Sequence, residues 1–293
     1  MSTHAVAPLI YILEPFGGST REHSLALPMI FWDDAAVTRG DGVFESIRII
    51  DGKAKNLHKH AERFARSAAI LGLPVPDSQH WIHATEEAAA QWAEKNGPLE
   101  GACTWTMSRG RASRPDLPTT WLVVKPLSDE IYRQRKEGVK VLTGPRGYQL
   151  TESAPWSVAG AKTLGYVENM AALRYARQQG FDDVIFRDGD RVLEGATSTI
   201  ISVRGTKLRT PTPGGEILAG TTQAGIFEYA VKKGWTAKTK DLEVSDLLKS
   251  ESVWLVSSTR GAVLVTQLDE HKLKPAGDLE AARRMLQRAL EKC

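Results

Sequence analysis

The chain has 293 residues, 42% hydrophobic and 25% charged, enough to bury one large core or two modest ones. Its formal net charge is +3, with both signs spread along the sequence, so no nucleic-acid or membrane partner is expected and the balance at most favours anionic substrates. Cys103 and Cys293 lie far apart and suggest neither a disulfide framework nor a metal site. With no basic-then-apolar N-terminal segment and no apolar run of about 18 residues, a cytoplasmic protein is expected.

Leu9–Leu13 is a short apolar strand, and Glu14 to Leu27 a loop. The Arg39-Gly40-Asp41 triplet resembles an adhesion motif, but without a secretion signal that reading is set aside. Val43–Ile50 alternates like a strand and ends at Asp51-Gly52, a hairpin turn. His58 to Leu71 has Ala61, Phe64, Ala65, Ala68 and Leu71 at helical spacing; His58 and His60 are expected at its surface. Arg63 lies on the same helix, either as an exposed arginine or as a fork for an anion. A second helix spans Ser78 to Asn96 and stops at Gly97-Pro98. Ala102–Met107 and Thr120–Val124 are strands around the loop Ser108 to Pro115, where Arg109, Arg111 and Arg114 make either a carboxylate trap or a solvated basic loop. A linker and short helix over Pro126 to Glu137 place a boundary near residue 130. A small N-terminal α/β domain (1–130) and a large C-terminal α/β domain (131–293) are thus expected.

The second half opens with strand Val139–Leu142 and a loop from Gly144 to Gly160. Lys162 follows among small residues, just before a helix from Tyr166 to Gln179 that Gly180 stops. A lysine so placed can sit dry, lose its proton and attack an aldehyde, as pyridoxal phosphate chemistry requires. Val184–Phe186, the turn Asp188-Gly189 and Arg191–Leu193 make a hairpin that delivers Glu194, and a carboxylate there suits a pyridine nitrogen. On the strand Thr197–Val203, Ser198 and Thr199 are either cofactor ligands or ordinary strand residues. Gly220-Thr221-Thr222 precedes a helix from Gln223 to Lys233, and such an N-terminus serves as a phosphate cradle or simply as a cap. Ser252–Val256 is a buried strand leading to Ser257–Arg260, and Gly277 to Lys292 forms a closing amphipathic helix.

The runs KTLGYVENMAAL, DDVIFRDGDRVLEGATSTIISV and ILAGTTQAGIFEYA, with RGDGVFESIRI and HAERF upstream, resemble the class IV aminotransferases, the fold type IV pyridoxal phosphate enzymes, from about Ala36 to Leu268. The resemblance implies a two-domain α/β fold with mixed sheets, pyridoxal 5'-phosphate as cofactor, and a homodimer. It implies that Lys162 is the catalytic residue and that Glu194 faces the pyridine nitrogen. Arg63 then grips the phosphate opposite the amides of Thr221 and Thr222, with Ser198 and Thr199 nearby. On the substrate side, Phe44 falls where several transaminases carry a tyrosine. Arg109 matches a substrate-carboxylate arginine of D-amino-acid transaminases, and the SRG pattern with Arg114 resembles aminodeoxychorismate lyases. Ser258 and Thr259 face the substrate carboxylate, and Arg260 either adds a charge or points to solvent. Two positions depart from the family pattern: Thr199 replaces a frequent asparagine and Gln223 a frequent basic residue. The whole pattern is most similar to 4-amino-4-deoxychorismate lyases; an amino-acid transaminase of D-amino-acid or branched-chain type is the alternative, and a cofactor-free binding protein a remote one.

Overall fold

The computed structural model describes residues 6–15, 18–147 and 154–292, so Cys293 and part of the Gly144 to Gly160 loop lie outside the described residues. The chain divides into two units, Met1–Ser128 with Ala161–Gly165, and Asp129–Gly160 with Tyr166–Cys293. Lys162, expected in the second domain, therefore groups with the first unit.

In the first unit the elements are β1 (Leu9–Leu13), β2 (Thr20–Glu22), α1 (Ala35–Thr38), β3 (Gly42–Ile50), β4 (Lys53–Ala54), α2 (Leu57–Ile70), α3 (Ser78–Asn96), β5 (Gly101–Ser108) and β6 (Thr119–Pro126). The expected Glu14 to Leu27 loop thus contains a strand, β2, whose ladder is made with β1 and is not encoded by an apolar pattern of its own. Six antiparallel strands in the order β2-β1-β6-β5-β3-β4 form one sheet. The turn Asp51-Gly52 has positive φ at both residues (48° and 71°), the geometry a two-residue hairpin needs to match strand twist. Helices α2 and α3 bury Phe64, Trp81 and Trp92 with Trp105 of β5. The rings of Phe64, Trp81 and Trp105 meet at centroid distances of 4.8, 5.5 and 5.1 Å. The indole N–H groups of Trp92 and Trp105 donate to Leu99 O and Thr85 Oγ1, which makes such large amphipathic side chains tolerable in a core.

Asp34 ties the loops of this unit together. Fully buried, its carboxylate accepts from the Ala36 N–H at the start of α1 (2.8 Å), from Ser108 Oγ (2.7 Å) and from Thr119 Oγ1 (2.6 Å). An Asp34→Ala variant leaves these donors without a partner and is expected to lose about 2–4 kcal/mol of stability, read as a lower denaturation midpoint.

The second unit contains α4 (Asp129–Glu137), β7 (Val139–Pro145), α5 (Val167–Gln178), β8 (Asp183–Asp188), β9 (Arg191–Gly195), β10 (Thr199–Arg204), β11 (Lys207–Thr210), α6 (Thr221–Lys232), β12 (Thr236–Thr239), α7 (Val244–Leu248), β13 (Ser252–Ser257), β14 (Gly261–Leu268), β15 (His271–Lys272) and α8 (Leu279–Lys292). Its sheet runs β12-β11-β10-β13-β14-β7-β8-β9, with β15 on β14. Pairings β11·β12, β14·β7 and β7·β8 are parallel and the others antiparallel. The apolar runs of β10 and β13 are buried on both faces. Ile201, Val203, Trp254 and Val256 pack on α6 and α8, while Ile200, Val253 and Leu255 pack with Val139, Val141, Val263 and Leu247 of α7. Together the two units make the mixed α/β fold expected of the sequence. Helix α6 begins two residues before its expected start, and β10 begins two residues after.

Candidate active site

In the first unit, strand β3 alternates between two environments. Val43, Glu45, Ile47 and Ile49 are buried, while Phe44 is only partly so and, by the period of two, points to the other face. The segment Ala161–Gly165 is stitched to the opening residues of this strand. Phe44 N donates to Lys162 O (3.1 Å) and Leu164 N to Gly42 O (2.9 Å), bridging Val43 with Thr163. Gly42 permits the approach, because a Cβ there would lie 2.5 Å from Met107 O and 2.8 Å from Leu164 Cδ1. The backbone amide of Lys162 donates to Ser67 Oγ of α2 (3.0 Å), and its Nζ lies 4.2 Å from the centre of the Phe44 ring. The residue assigned to the substrate thus flanks the amine assigned to the chemistry.

Helix α2 carries two buried stripes side by side. Leu57, Ala61, Phe64 and Ala68 are apolar, whereas His60, Arg63 and Ser67 form a polar line at spacings of three and four. His60 therefore corrects the expectation of a surface histidine: it is fully buried, with Nδ1 2.7 Å from Glu45 Oε2, while His58 is exposed. Arg63 is buried too and donates from Nε to Glu45 Oε1 (2.6 Å) and from Nη2 to Glu45 Oε2 (2.7 Å). Burial alone would raise the pKa of Glu45, but the Arg63 charge and the hydrogen bonds from Arg63 and His60 hold its carboxyl well below the usual range. Burial lowers that of His60 despite the neighbouring carboxylate, favouring neutral imidazole.

The loop arginines have separate fates. Arg109 pairs with Asp41 (2.6 Å) and donates to Leu71 O (2.7 Å) at the end of α2, so its fork braces strand to helix. Arg111 pairs with Asp33 (2.9 Å) and lies over the Phe31 ring. Arg114 is exposed, and no ion pair to it is formed among the described residues. Of the three, only Arg114 has a guanidinium not already committed to a carboxylate of this unit.

In the second unit the hairpin β8–β9 delivers Glu194 as expected. Its Oε1 accepts from Arg146 Nη2 (2.5 Å) and its Oε2 from the Leu218 N–H (3.0 Å). Arg146 also donates to Glu216 O and stacks over Phe186 at 5.2 Å. This arginine was missed in the sequence, where it stands in a Gly- and Pro-bearing loop with no periodicity. Only the ladder β7-β8-β9 brings the end of β7 beside Glu194.

Next to Glu194, Gly195 and Gly220 allow close approaches that a side chain would block. A Cβ on Gly195 would lie 2.2 Å from Ser198 Oγ, and one on Gly220 2.4 Å from Thr199 Oγ1. Gly220 is the N-cap of α6 and has no side chain to cap it, and Thr221 and Thr222 are buried in its first turn. Ser198 Oγ is a buried polar atom with no hydrogen-bond partner among the described residues. A buried hydroxyl without a partner and a helix N-terminus without a side-chain cap each suit a phosphate, and a doubly anchored carboxylate suits a pyridinium nitrogen. The residues present therefore suit pyridoxal phosphate.

The turn between β13 and β14 holds Ser258 and Thr259, both half-buried. Arg260 does not point to solvent: it is buried, donating to Asp183 Oδ2 (2.7 Å) and Gln134 Oε1 (3.3 Å). Arg135 of α4 donates to Thr259 O (2.6 Å) and Arg260 O (3.0 Å), so the turn is held from both its backbone and its last side chain. Sequence gave no sign of Arg135, which lies in a charged helix.

Three comparisons bear on this arrangement. The family model described as amino-transferase class IV matches residues 42–268. A bifunctional aminodeoxychorismate lyase / D-amino acid transaminase of Mycobacterium tuberculosis is 40% identical over 257 residues, covering 84% of this chain and 88% of that protein. Among solved structures, a hypothetical aminotransferase from Mycobacterium tuberculosis in its PLP-bound form is 36% identical with a TM-score of 0.89, covering 97% and 99% of the two chains. A fold IV-transaminase from Curtobacterium pusillum is 34% identical with a TM-score of 0.87, covering 98% and 99%.

Proposed function

This chain belongs to the class IV aminotransferase family and is a pyridoxal phosphate-dependent enzyme of fold type IV, and we propose that it cleaves 4-amino-4-deoxychorismate to pyruvate and p-aminobenzoate, a step of folate synthesis. The observation that carries this reading is the 40% identity, over 84% of the chain, to a relative named for that lyase activity. The same name favours D-amino-acid transamination as the second reading. The cofactor-free alternative has no support beside that dependence. The reading also takes the enzyme to be a homodimer, as the family resemblance implies, and cytoplasmic, as its N-terminal sequence suggests; among the described residues no helix is long and apolar enough to cross a membrane.

Pyridoxal phosphate, when bound, supplies an aldehyde that captures amines and a ring that accepts the electron pair of a deprotonated carbon. Lys162 would hold that group through Nζ and, when free, its Nζ would take the proton from the substrate carbon bearing nitrogen. The Phe44 ring, 4.2 Å from Nζ, keeps water from that flank. Glu194, fixed by Arg146 and the Leu218 amide, would offer its carboxylate to the ring nitrogen. By the family resemblance Arg63 would grip the phosphate, and in the second unit the uncapped first turn of α6 and the Ser198 hydroxyl would suit the same group. Ser258 and Thr259 orient a substrate carboxylate, and Arg114 has the charge for a second one.

The two reactions part after proton removal. In the lyase the C–O bond to the enolpyruvyl group breaks, its electron pair leaves on oxygen, and the enol takes a proton to become pyruvate as the ring aromatises. In the transaminase Lys162 Nζ would hand the proton on without any C–O cleavage, water would release the first substrate as its keto acid, and a second keto acid would accept the amine. Mixing the loaded protein with 4-amino-4-deoxychorismate, without a keto acid, is expected to release p-aminobenzoate and pyruvate in equal amounts. No release, with conversion of the cofactor to its amine form by D-alanine, would replace the lyase reading with the transaminase one.

A further inference from the structure

The polar stripe of α2 raises a question that phosphate binding by Arg63 alone does not answer. A single buried arginine would suffice to attract an anion, yet here Glu45 and His60, both fully buried, are packed against it. Each adds a desolvation cost that an apolar pair of similar size would avoid, so a role beyond stability is expected of them. The geometry is specific. Glu45 takes Arg63 edge-on through Nε and Nη2, while His60 Nδ1 meets the carboxylate oxygen Oε2 that also receives Nη2. Because the edge-on grip uses both oxygens, it fixes the guanidinium plane as well as its position. One helical turn further along the same line, Ser67 holds the amide of Lys162. One helix face therefore sets both the arginine and the segment carrying the lysine.

We propose that Glu45, backed by His60, is a positioning residue that locks the guanidinium of Arg63 in one plane, so that phosphate is recognised by an oriented fork and not by a mobile cation. The inference rests on the assignment of Arg63 to the cofactor phosphate. A neutral His60 donates from Nδ1 to Oε2, leaving the carboxylate to balance a single arginine charge. With the carboxylate replaced by an amide, the fork keeps one acceptor oxygen but loses the second and the charge, so its plane is no longer fixed from both sides. With His60 shortened to asparagine, an amide donor remains near the place of Nδ1 but the ring packed against the carboxylate is lost, so Glu45 is held less rigidly.

The test compares two probes on the full-length protein after removal of its cofactor. Pyridoxal phosphate and pyridoxal share the ring and aldehyde and differ only in the phosphate, so the ratio of their dissociation constants isolates the phosphate contact. Both are followed by visible absorbance. Glu45→Gln is expected to weaken pyridoxal phosphate about 10- to 100-fold with pyridoxal nearly unchanged. Arg63→Lys is expected to do the same, and the double variant to be no worse than Arg63→Lys alone. His60→Asn, which keeps the carboxylate, is expected to give a smaller loss in the same ratio, and it carries the test should Glu45→Gln fail to fold. If Arg63→Lys changes the ratio while neither Glu45→Gln nor His60→Asn does, the positioning role is overturned and the phosphate assignment stands. If Arg63→Lys leaves the ratio unchanged, the phosphate assignment itself fails.

Discussion

Lys162→Ala is expected to leave no measurable turnover, a loss of at least about 10⁴-fold, under the lyase and the transaminase readings alike. On the proposed mechanism the amine would serve twice, first as the group that holds the aldehyde and then as the base that moves the substrate proton. Phe44, the residue flanking Nζ at 4.2 Å, offers only a ring face. The variant should still fold. The segment is held by its backbone, through Phe44 N to Lys162 O, Leu164 N to Gly42 O and Lys162 N to Ser67 Oγ, none of which involves the deleted side chain. Its thermal denaturation should therefore match the parent's while product formation disappears. A variant that kept normal rates would overturn the mechanism.

Glu194→Gln is expected to lower turnover by about 10²- to 10³-fold and to cost stability as well. On the proposed role of Glu194, an amide in place of the carboxylate would no longer keep a proton on the ring nitrogen, and the ring would be a poorer acceptor of the carbanion pair. The same change strips Arg146 of its anionic partner at a site where the two side chains are 7% and 16% exposed. Breaking a largely buried pair from one side costs about 3–5 kcal/mol, because the remaining charge stays desolvated. Double substitution with Arg146→Met should restore part of the stability and none of the rate. Steady-state kinetics and denaturation midpoints on the three proteins separate the two effects; recovery of rate in the double variant would mean that Glu194 acts only through its pairing with Arg146.

The sequence by itself determined the local elements and the chemistry-bearing motifs. Helix Ser78–Asn96 was legible to the residue because Asp77 caps it and Gly97, at positive φ, ends it. The hairpin at Asp51-Gly52 and the one delivering Glu194 were legible because turn residues interrupt alternating strands. Lys162 and Glu194 stood out by residue type and small neighbours, and the resemblance of the surrounding runs gave them roles. Only the tertiary structure decided which polar side chains are partners. His60 looked like a surface residue because its neighbours in sequence are polar, yet it lies on a second buried stripe that exists only against Glu45 of β3. Arg109 and Arg260 looked like free charges, but Asp41 and Asp183, 68 and 77 residues away, engage them. Arg146 and Arg135 carried no local signal at all, since their partners are a carboxylate and backbone carbonyls reached across the sheet and the turn. Apolar periodicity is a local property, readable over a turn of helix or a few residues of strand; a charge finds its counter-charge through space, and that pairing is fixed only when the strands take their order.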